Sequence, residues 1–146
     1  MEIEIKIDPA CGEPRVLIIT DKVSDEVTAL MKKLSESGAP PLTGCRDGAL
    51  EILDEQDIYR IYAENGRVIA VTERGEYALR RRLYELEQRL DKSRFVRISN
   101  SEIINLKKVR KFDLKLTGTI CVAMTNGAVT YVSRRYVSKI KQVLGL

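Results

Sequence analysis

Arg134 and Arg135 stand side by side directly after Ser133, at the start of a run in which Tyr136, Ile140 and Val143 or Leu144 recur at helical spacing. Ser133 suits an N-cap, so the two guanidinium groups occupy the first turn of a predicted helix. The helix dipole disfavours cations there by about 0.3 to 1 kcal/mol, so the pair calls for an anionic partner. Phosphate, which the free N–H groups of the same turn also attract, is the first candidate. The pair belongs to a wider basic stretch. Residues 92–146 carry 12 Lys and Arg against two acids, Glu102 and Asp113, whereas residues 1–91 carry 13 against 19. The net charge of +4 over 146 residues therefore divides into −6 and +10. Such a surface draws a polyanion and releases its counterions on binding. Phe95, Phe112, Tyr131 and Tyr136 read as core by periodicity, which leaves little to stack unpaired bases and favours a duplex.

Other chemistry is poorly supplied. The chain has no histidine, which removes the usual general base near neutral pH, the triads built on it and the commonest metal ligand. Metal-assisted attack on nucleic acid needs clustered carboxylates, and the basic third offers only Glu102 and Asp113. Cys11, Cys45 and Cys121 are odd in number and far apart, so neither a disulfide framework nor a zinc knuckle is indicated. The N-terminus has no secretory pattern, and no apolar run approaches 18 residues. The expectation is a cytoplasmic protein that is not an enzyme, with no metal, cofactor or small-molecule substrate.

The elements that must position these residues follow from hydrophobic period. Charged residues alternate with Ile3, Ile5 and Ile7 from Glu2 to Asp8, and Val16 to Thr20 is a second β-rich run, with Pro9, Gly12 and Pro14 between them. Val27, Leu30, Met31 and Leu34 then mark a helix with Ser24 as N-cap and Gly38 as stop, and Ala39, Pro40 and Pro41 form a linker. Residues 1–41 thus read as a β-β-α segment, a candidate dimerisation or regulatory element, and 42–146 as a second domain. About forty residues make a poor independent core, so the segment is expected to pack on the rest or on a second copy.

Beyond the linker the pattern is mainly β. Ile58 to Ala63 and Arg67 to Thr72 flank Asn65-Gly66, and a second pair, Asn126-Gly127, separates Ala123-Met124-Thr125 from Val129 to Val132. Both are hairpin signals. Phe112, Leu114 and Leu116 alternate with charges, and Thr117-Gly118 should turn that strand back into Ile120 to Met124. Leu79, Leu83, Leu86 and Leu90 predict a helix over 78–91, and the last helix runs from Ser133 to about Leu144.

Two stretches in this order carry a resemblance. Arg94-Phe95-Val96-Arg97-Ile98-Ser99-Asn100-Ser101-Glu102-Ile103-Ile104-Asn105-Leu106, followed by Val129-Thr130-Tyr131-Val132-Ser133-Arg134-Arg135-Tyr136, resembles the LytTR family of bacterial DNA-binding domains. The likeness spans roughly 42–146 and leaves the β-β-α segment outside. It implies a fold that is mainly β with short helices, α+β overall, built of small antiparallel sheets and hairpins whose loops enter successive major grooves. No basic run here is long enough for a conventional recognition helix. By position the likeness implies base contacts from Asn100, Arg135, Asn65 and Arg67, and backbone contacts from Ser99, Ser101, Arg97, Arg134, Lys107 and Lys108. The family usually has histidine at Ser99, an aromatic at Glu102 and a longer side chain at Gly66, so the base preference implied for this chain differs.

The function expected is a sequence-specific transcription regulator, response-regulator-like but without a receiver domain. It binds promoter DNA as a homodimer on repeated half-sites and is subject to a membrane-protein partner. The alternative is a protein-interaction module whose basic face serves solubility alone. The arginine run Arg80 to Arg82 reads either as DNA-contacting or as a solvated helix face.

Overall fold

The computed structural model describes residues 1–36, 41–115 and 118–146, which divide into a first unit, 1–40, and a second, 41–146. In the first unit the only regular element among the described residues is helix α1 (Asp25–Glu36). It starts as the sequence predicts, with the Val27 N–H donating to Ser24 Oγ at 3.3 Å and Asp25 and Glu26 in the first turn. The predicted stop at Gly38 and the linker residues Ala39 and Pro40 lie outside the described residues. The two predicted strands, Glu2–Asp8 and Val16–Thr20, are not strands. A ribbon of two short strands is marginal in water, and no described residue of this unit is buried, so nothing here holds such a ribbon together.

The second unit is built from hairpins. Strands β1 (Thr43–Arg46) and β2 (Ala49–Ile52) turn at Asp47-Gly48; β3 (Ile58–Glu64) and β4 (Arg67–Thr72) turn at Asn65-Gly66. Asn65 and Gly66 sit at φ 51° and 74°, the positive values that a type I′ turn needs and that Asn-Gly tolerates. Strand β5 (Gly75–Leu79) follows. Helix α2 (Leu83–Arg89) then leads to the hairpin of β6 (Phe95–Ser99) and β7 (Glu102–Asn105). These strands make one antiparallel sheet in the order β2-β1-β5-β4-β3-β7-β6. Strands β8 (Val109–Leu114), β9 (Ile120–Met124) and β10 (Val129–Val132) make a second antiparallel sheet, and helix α3 (Arg134–Val143) closes the chain. Of the predicted β8–β9 turn, Leu116 and Thr117 lie outside the described residues, and the Gly118 N–H donates to the Lys115 carbonyl at 3.0 Å.

Two expectations change. The leucine stripe does not lie on one helix over 78–91. Leu79 ends β5, buried and paired with Val68, and only from Leu83 is the chain helical. Tyr77 and Leu79 alternate into the core as strand residues do, and that burial outweighs the helical spacing of the leucines. Tyr131 is 55% exposed, not core. It lies on β10, an edge of the three-stranded sheet.

Two hydrophobic clusters hold the second unit. One packs Leu83, Leu86 and Leu90 against Ile58, Ile61, Tyr77, Phe95 and Ile103; the other packs Ile140 of α3 with Val96, Ile98, Ile104, Ile120, Val122 and Val132. Phe95 and Ile103 belong to the first cluster, Val96 and Ile104 to the second, so alternate residues of the β6–β7 hairpin enter different cores. All four residues of β7 are buried. Its last, Asn105, donates from Nδ2 to the Ile58 carbonyl at 2.8 Å and accepts from the Lys107 N–H at 3.0 Å, tying the end of β7 to the start of β3. Asn105→Ala leaves a buried carbonyl and an amide unpaired and is expected to cost about 1 to 3 kcal/mol in urea unfolding. An unchanged midpoint refutes that role.

Candidate nucleic-acid interface

Strand pairing decides which turns share an end of the large sheet. In the β3–β7 ladder Tyr62 faces Glu102, and the Ala63 N–H donates to the Ser101 carbonyl at 2.8 Å. The Asn65-Gly66 turn after β3 and the Ser99-Asn100-Ser101 turn before β7 therefore stand at the same end. Helix α3 begins there too: the Ser133 N–H donates to the Ile98 carbonyl at 2.9 Å, and the Tyr136 hydroxyl bonds Asn100 Oδ1 at 3.1 Å. Three separate stretches singled out in the sequence thus converge. Asn65, Arg67, Asn100, Ser101, Arg134 and Arg135 are exposed there, and Ser99 is half-buried.

Arg97 sets the shape of the 99–101 turn. Its Nε donates to the Ser99 carbonyl at 3.0 Å, its Nη2 to the Asn100 carbonyl at 2.6 Å and its Nη1 to Glu87 Oε2 at 2.8 Å. With all three nitrogens engaged and its side chain largely buried, Arg97 is a brace for the turn rather than a free cation. Glu87, on α2, also faces the Lys139 ammonium of α3 at 3.6 Å, so one carboxylate ties both helices to the hairpin. Within the turn the Ser101 N–H donates to Ser99 Oγ at 3.2 Å and the two hydroxyls lie 3.3 Å apart. Ser99, predicted to face the backbone of a ligand, is thereby engaged in shaping the loop.

At the start of α3, Ser133 occupies the N-cap position but its side chain makes no capping bond. Arg134 and Arg135 follow, and among the described residues neither forms an ion pair, nor does Arg67. These three arginines therefore carry uncompensated charge at this end of the sheet, two of them on a helix N-terminus whose dipole adds to the positive potential.

Lys107 and Lys108 are not brought to that end. They follow β7 and so lie beside the start of β3, about six strand residues or ~20 Å from the Asn65-Gly66 turn. Lys107 is exposed. The Lys108 ammonium donates to Glu73 Oε1 at 2.8 Å and lies 5.1 Å from the Tyr59 ring centre; the Glu73 bond holds its pKa above the ordinary lysine value. Arg80 to Arg82 follow the end of β5, which pairs with the start of β4, so they belong to the end with the three turns; Arg81 there faces Glu85 at 3.9 Å.

Glu102, a departure from the family pattern, is only 8% exposed and accepts from Arg60 Nη1 at 2.9 Å across the β3–β7 ladder, while Arg60 lies over the Tyr62 ring. Its carboxylate is thus engaged in an internal ion pair. Sequence reasoning missed this pair, the Glu87–Arg97 brace and the Tyr136–Asn100 bond, which all join residues too distant in sequence for a spacing argument. It also missed the β1–β2 hairpin, although Asp47-Gly48 carries the same turn signal as Asn65-Gly66.

Comparison with known proteins agrees with this architecture. The family model "LytTr DNA-binding domain" matches residues 48–145. Two relatives from strains of Staphylococcus aureus, each described as an uncharacterized HTH-type transcriptional regulator, are 31% identical over 147 residues, covering 100% of this chain and 99% of each relative. Among solved structures, the LytTr DNA-binding domain of a methyl-accepting/DNA response regulator from Bacillus cereus matches with a TM-score of 0.70 and 22% identity, covering 75% of this chain and 100% of that one. It shares the fold. Although the Staphylococcus relatives are described as HTH-type, no two α-helices among the described residues here are joined by a short turn.

The brace makes a prediction. Arg97→Lys keeps the charge but loses the forked contacts to the Ser99 and Asn100 carbonyls, charge-assisted bonds of about 1.5 kcal/mol or more. Amide exchange at Asn100 and Ser101 is expected to rise about tenfold, with much less change at Ile103 and Ile104. Unaltered exchange in the turn shows that the loop holds itself.

Proposed function

The chain belongs to the LytTR family of DNA-binding domains, and from that premise we propose that it is a sequence-specific regulator of transcription that reads duplex DNA through the end of the large sheet where three turns meet. The observation that carries this reading is the convergence of Asn65-Gly66-Arg67, Ser99-Asn100-Ser101 and Ser133-Arg134-Arg135 at one end, with Arg67, Arg134 and Arg135 unpaired. The chemistry suits a major groove. Asn bonds adenine N6 and N7 and Arg bonds guanine O6 and N7 in bidentate fashion, each pair worth roughly 1 to 3 kcal/mol of discrimination. Asn100 and Arg135 take this role, with Asn65 and Arg67 at the flanking turn. Arg134 and Ser101 contact phosphates, which fix register without reading sequence. Arg97 serves from behind as a positioning residue.

A bacterial cytoplasmic regulator of this kind, working as a homodimer on repeated half-sites, doubles its contact with one face of the duplex. Sequestration by a membrane-protein partner then offers a route of control. No helix among the described residues is long and apolar enough to cross a membrane.

The test is a titration against duplexes selected from a random pool. Arg135→Ala is expected to lose about 1 to 3 kcal/mol on the preferred sequence and to flatten discrimination at one base pair, and Lys107→Ala, at the far end, to leave base preference intact. In the unaltered protein log K falls by about 0.9 per unit of log salt for each phosphate neutralised. If Arg135→Ala changes neither affinity nor preference, the assignment fails. Binding indifferent to salt makes the basic face a solvated surface and favours the protein-interaction reading.

A further inference from the structure

Tyr136 does two things at once, and only one of them needs a hydroxyl. Its ring packs against the second hydrophobic cluster, on the helix that carries Arg134 and Arg135. Phenylalanine would serve that packing as well. The hydroxyl instead donates to Asn100 Oδ1 at 3.1 Å, joining residues 36 apart in the chain. The backbone of the turn does not require this bond, because Arg97 already holds the Ser99 and Asn100 carbonyls and the Ser101 N–H is taken by Ser99 Oγ. What the hydroxyl holds is the Asn100 side chain itself.

An exposed asparagine amide has a broad terminal torsion and can present either its oxygen or its nitrogen to a base. It carries two Oδ1 lone pairs and two Nδ2 hydrogens. The Tyr136 hydroxyl takes one lone pair, and among the described residues Nδ2 has no partner, so both hydrogens and the other lone pair stay free. That is the set an adenine edge requires, an acceptor for the N6 hydrogen and a donor for N7. Guanine offers two acceptors in those places, O6 and N7. A loose amide meets guanine by pivoting until Nδ2 faces both, whereas an amide fixed at Oδ1 sets that oxygen against O6 with no hydrogen between them. Fixing the amide before the duplex arrives also spares the cost of ordering it on binding. We propose that Tyr136 is a specificity-determining positioning residue, whose hydroxyl fixes the Asn100 amide so that the 99–101 turn accepts adenine and rejects guanine. This rests on the reading of Asn100 as a base contact given above and names the group that sets its choice.

The test is a set of competition titrations of the full chain against a selected duplex and against duplexes in which single A·T pairs are replaced by G·C. A neutral hydrogen bond is worth about fivefold in an equilibrium constant, so Tyr136→Phe is expected to lower the preference for adenine over guanine about fivefold at one pair and to leave the preference read by Arg135 as it is. Asn100→Ala removes the preference at that same pair, and in the Asn100→Ala background Tyr136→Phe changes nothing further. In the free protein, nitrogen relaxation of the Asn100 side-chain amide is expected to show greater mobility in Tyr136→Phe, while the backbone amides of 99–101 keep theirs. If Tyr136→Phe weakens all duplexes alike, the hydroxyl only ties helix to turn and the proposal is overturned. Unaltered mobility of the Asn100 amide overturns it too, as does a preference that Asn100→Ala removes and Tyr136→Phe leaves whole; these outcomes leave the base contact standing. An Asn100→Ala variant that keeps its preference at every pair refutes the base contact itself, and the proposal with it.

Discussion

Burial of the β6–β7 hairpin on both faces constrains everything around it. Phe95 and Ile103 are committed to the core under α2, Val96, Ile98 and Ile104 to the core under α3, and a slip of one residue would exchange the two sets. That double commitment fixes the hairpin's register against β3 and so places the Ser99–Ser101 turn beside Asn65-Gly66. It also brings α3 to the same place, since Ile140 packs into the second core while the Ser133 N–H reaches the carbonyl of Ile98. Two apolar cores thus position polar side chains that never touch them.

Charge is divided in a way that the net figure hides. Part of the basic surplus is used within the fold: Arg97 on Glu87 and the turn carbonyls, Arg60 on Glu102, Lys108 on Glu73. The partly buried pairs among these gain more from a fixed geometry than exposed ones do, and Arg97's forked contacts give that geometry. Arg67, Arg134 and Arg135, which form no ion pair among the described residues, lie with Asn65 and Asn100 at one end of the sheet, although Lys107, Arg110, Lys111 and Lys141 are also without one. A cation with an internal partner braces; one without attracts an anion.

Much of this was legible in the sequence, and the reason differs from element to element. Asn65-Gly66 and Asn126-Gly127 announce their hairpins because positive φ, at Asn65, Gly66 and Gly127, restricts the residues that can turn there, and Ser24 marks the start of α1 because capping is local. Local rules failed where burial overrode spacing. Leu79 shares the helical interval of its neighbours and is a strand residue; Tyr131 alternates like a core residue on a sheet edge that stays open. The N-terminal strands failed for the opposite reason. Their alternation is genuine, but Ile3, Ile5 and Ile7 are exposed, so no burial holds a ladder together. Of the site, the residue types at Asn100 and Arg135 could be named from the motif. The fixation of Asn100 by Arg97 and Tyr136, with Glu87 holding Arg97, could not, because it depends on contacts between α2, β6 and α3 that only the folded register creates.

The central claim is that one end of the large sheet, and not the far end with Lys107 and Lys108, meets the duplex. Backbone amide shifts of the isotopically labelled protein, titrated with a selected duplex, measure this directly. The account predicts the largest changes at Asn65 to Arg67, Ser99 to Ser101 and Ser133 to Arg135, with little at Lys107 to Arg110 or at Asn126-Gly127. Changes concentrated around Lys107, with the three turns unaffected, would contradict it.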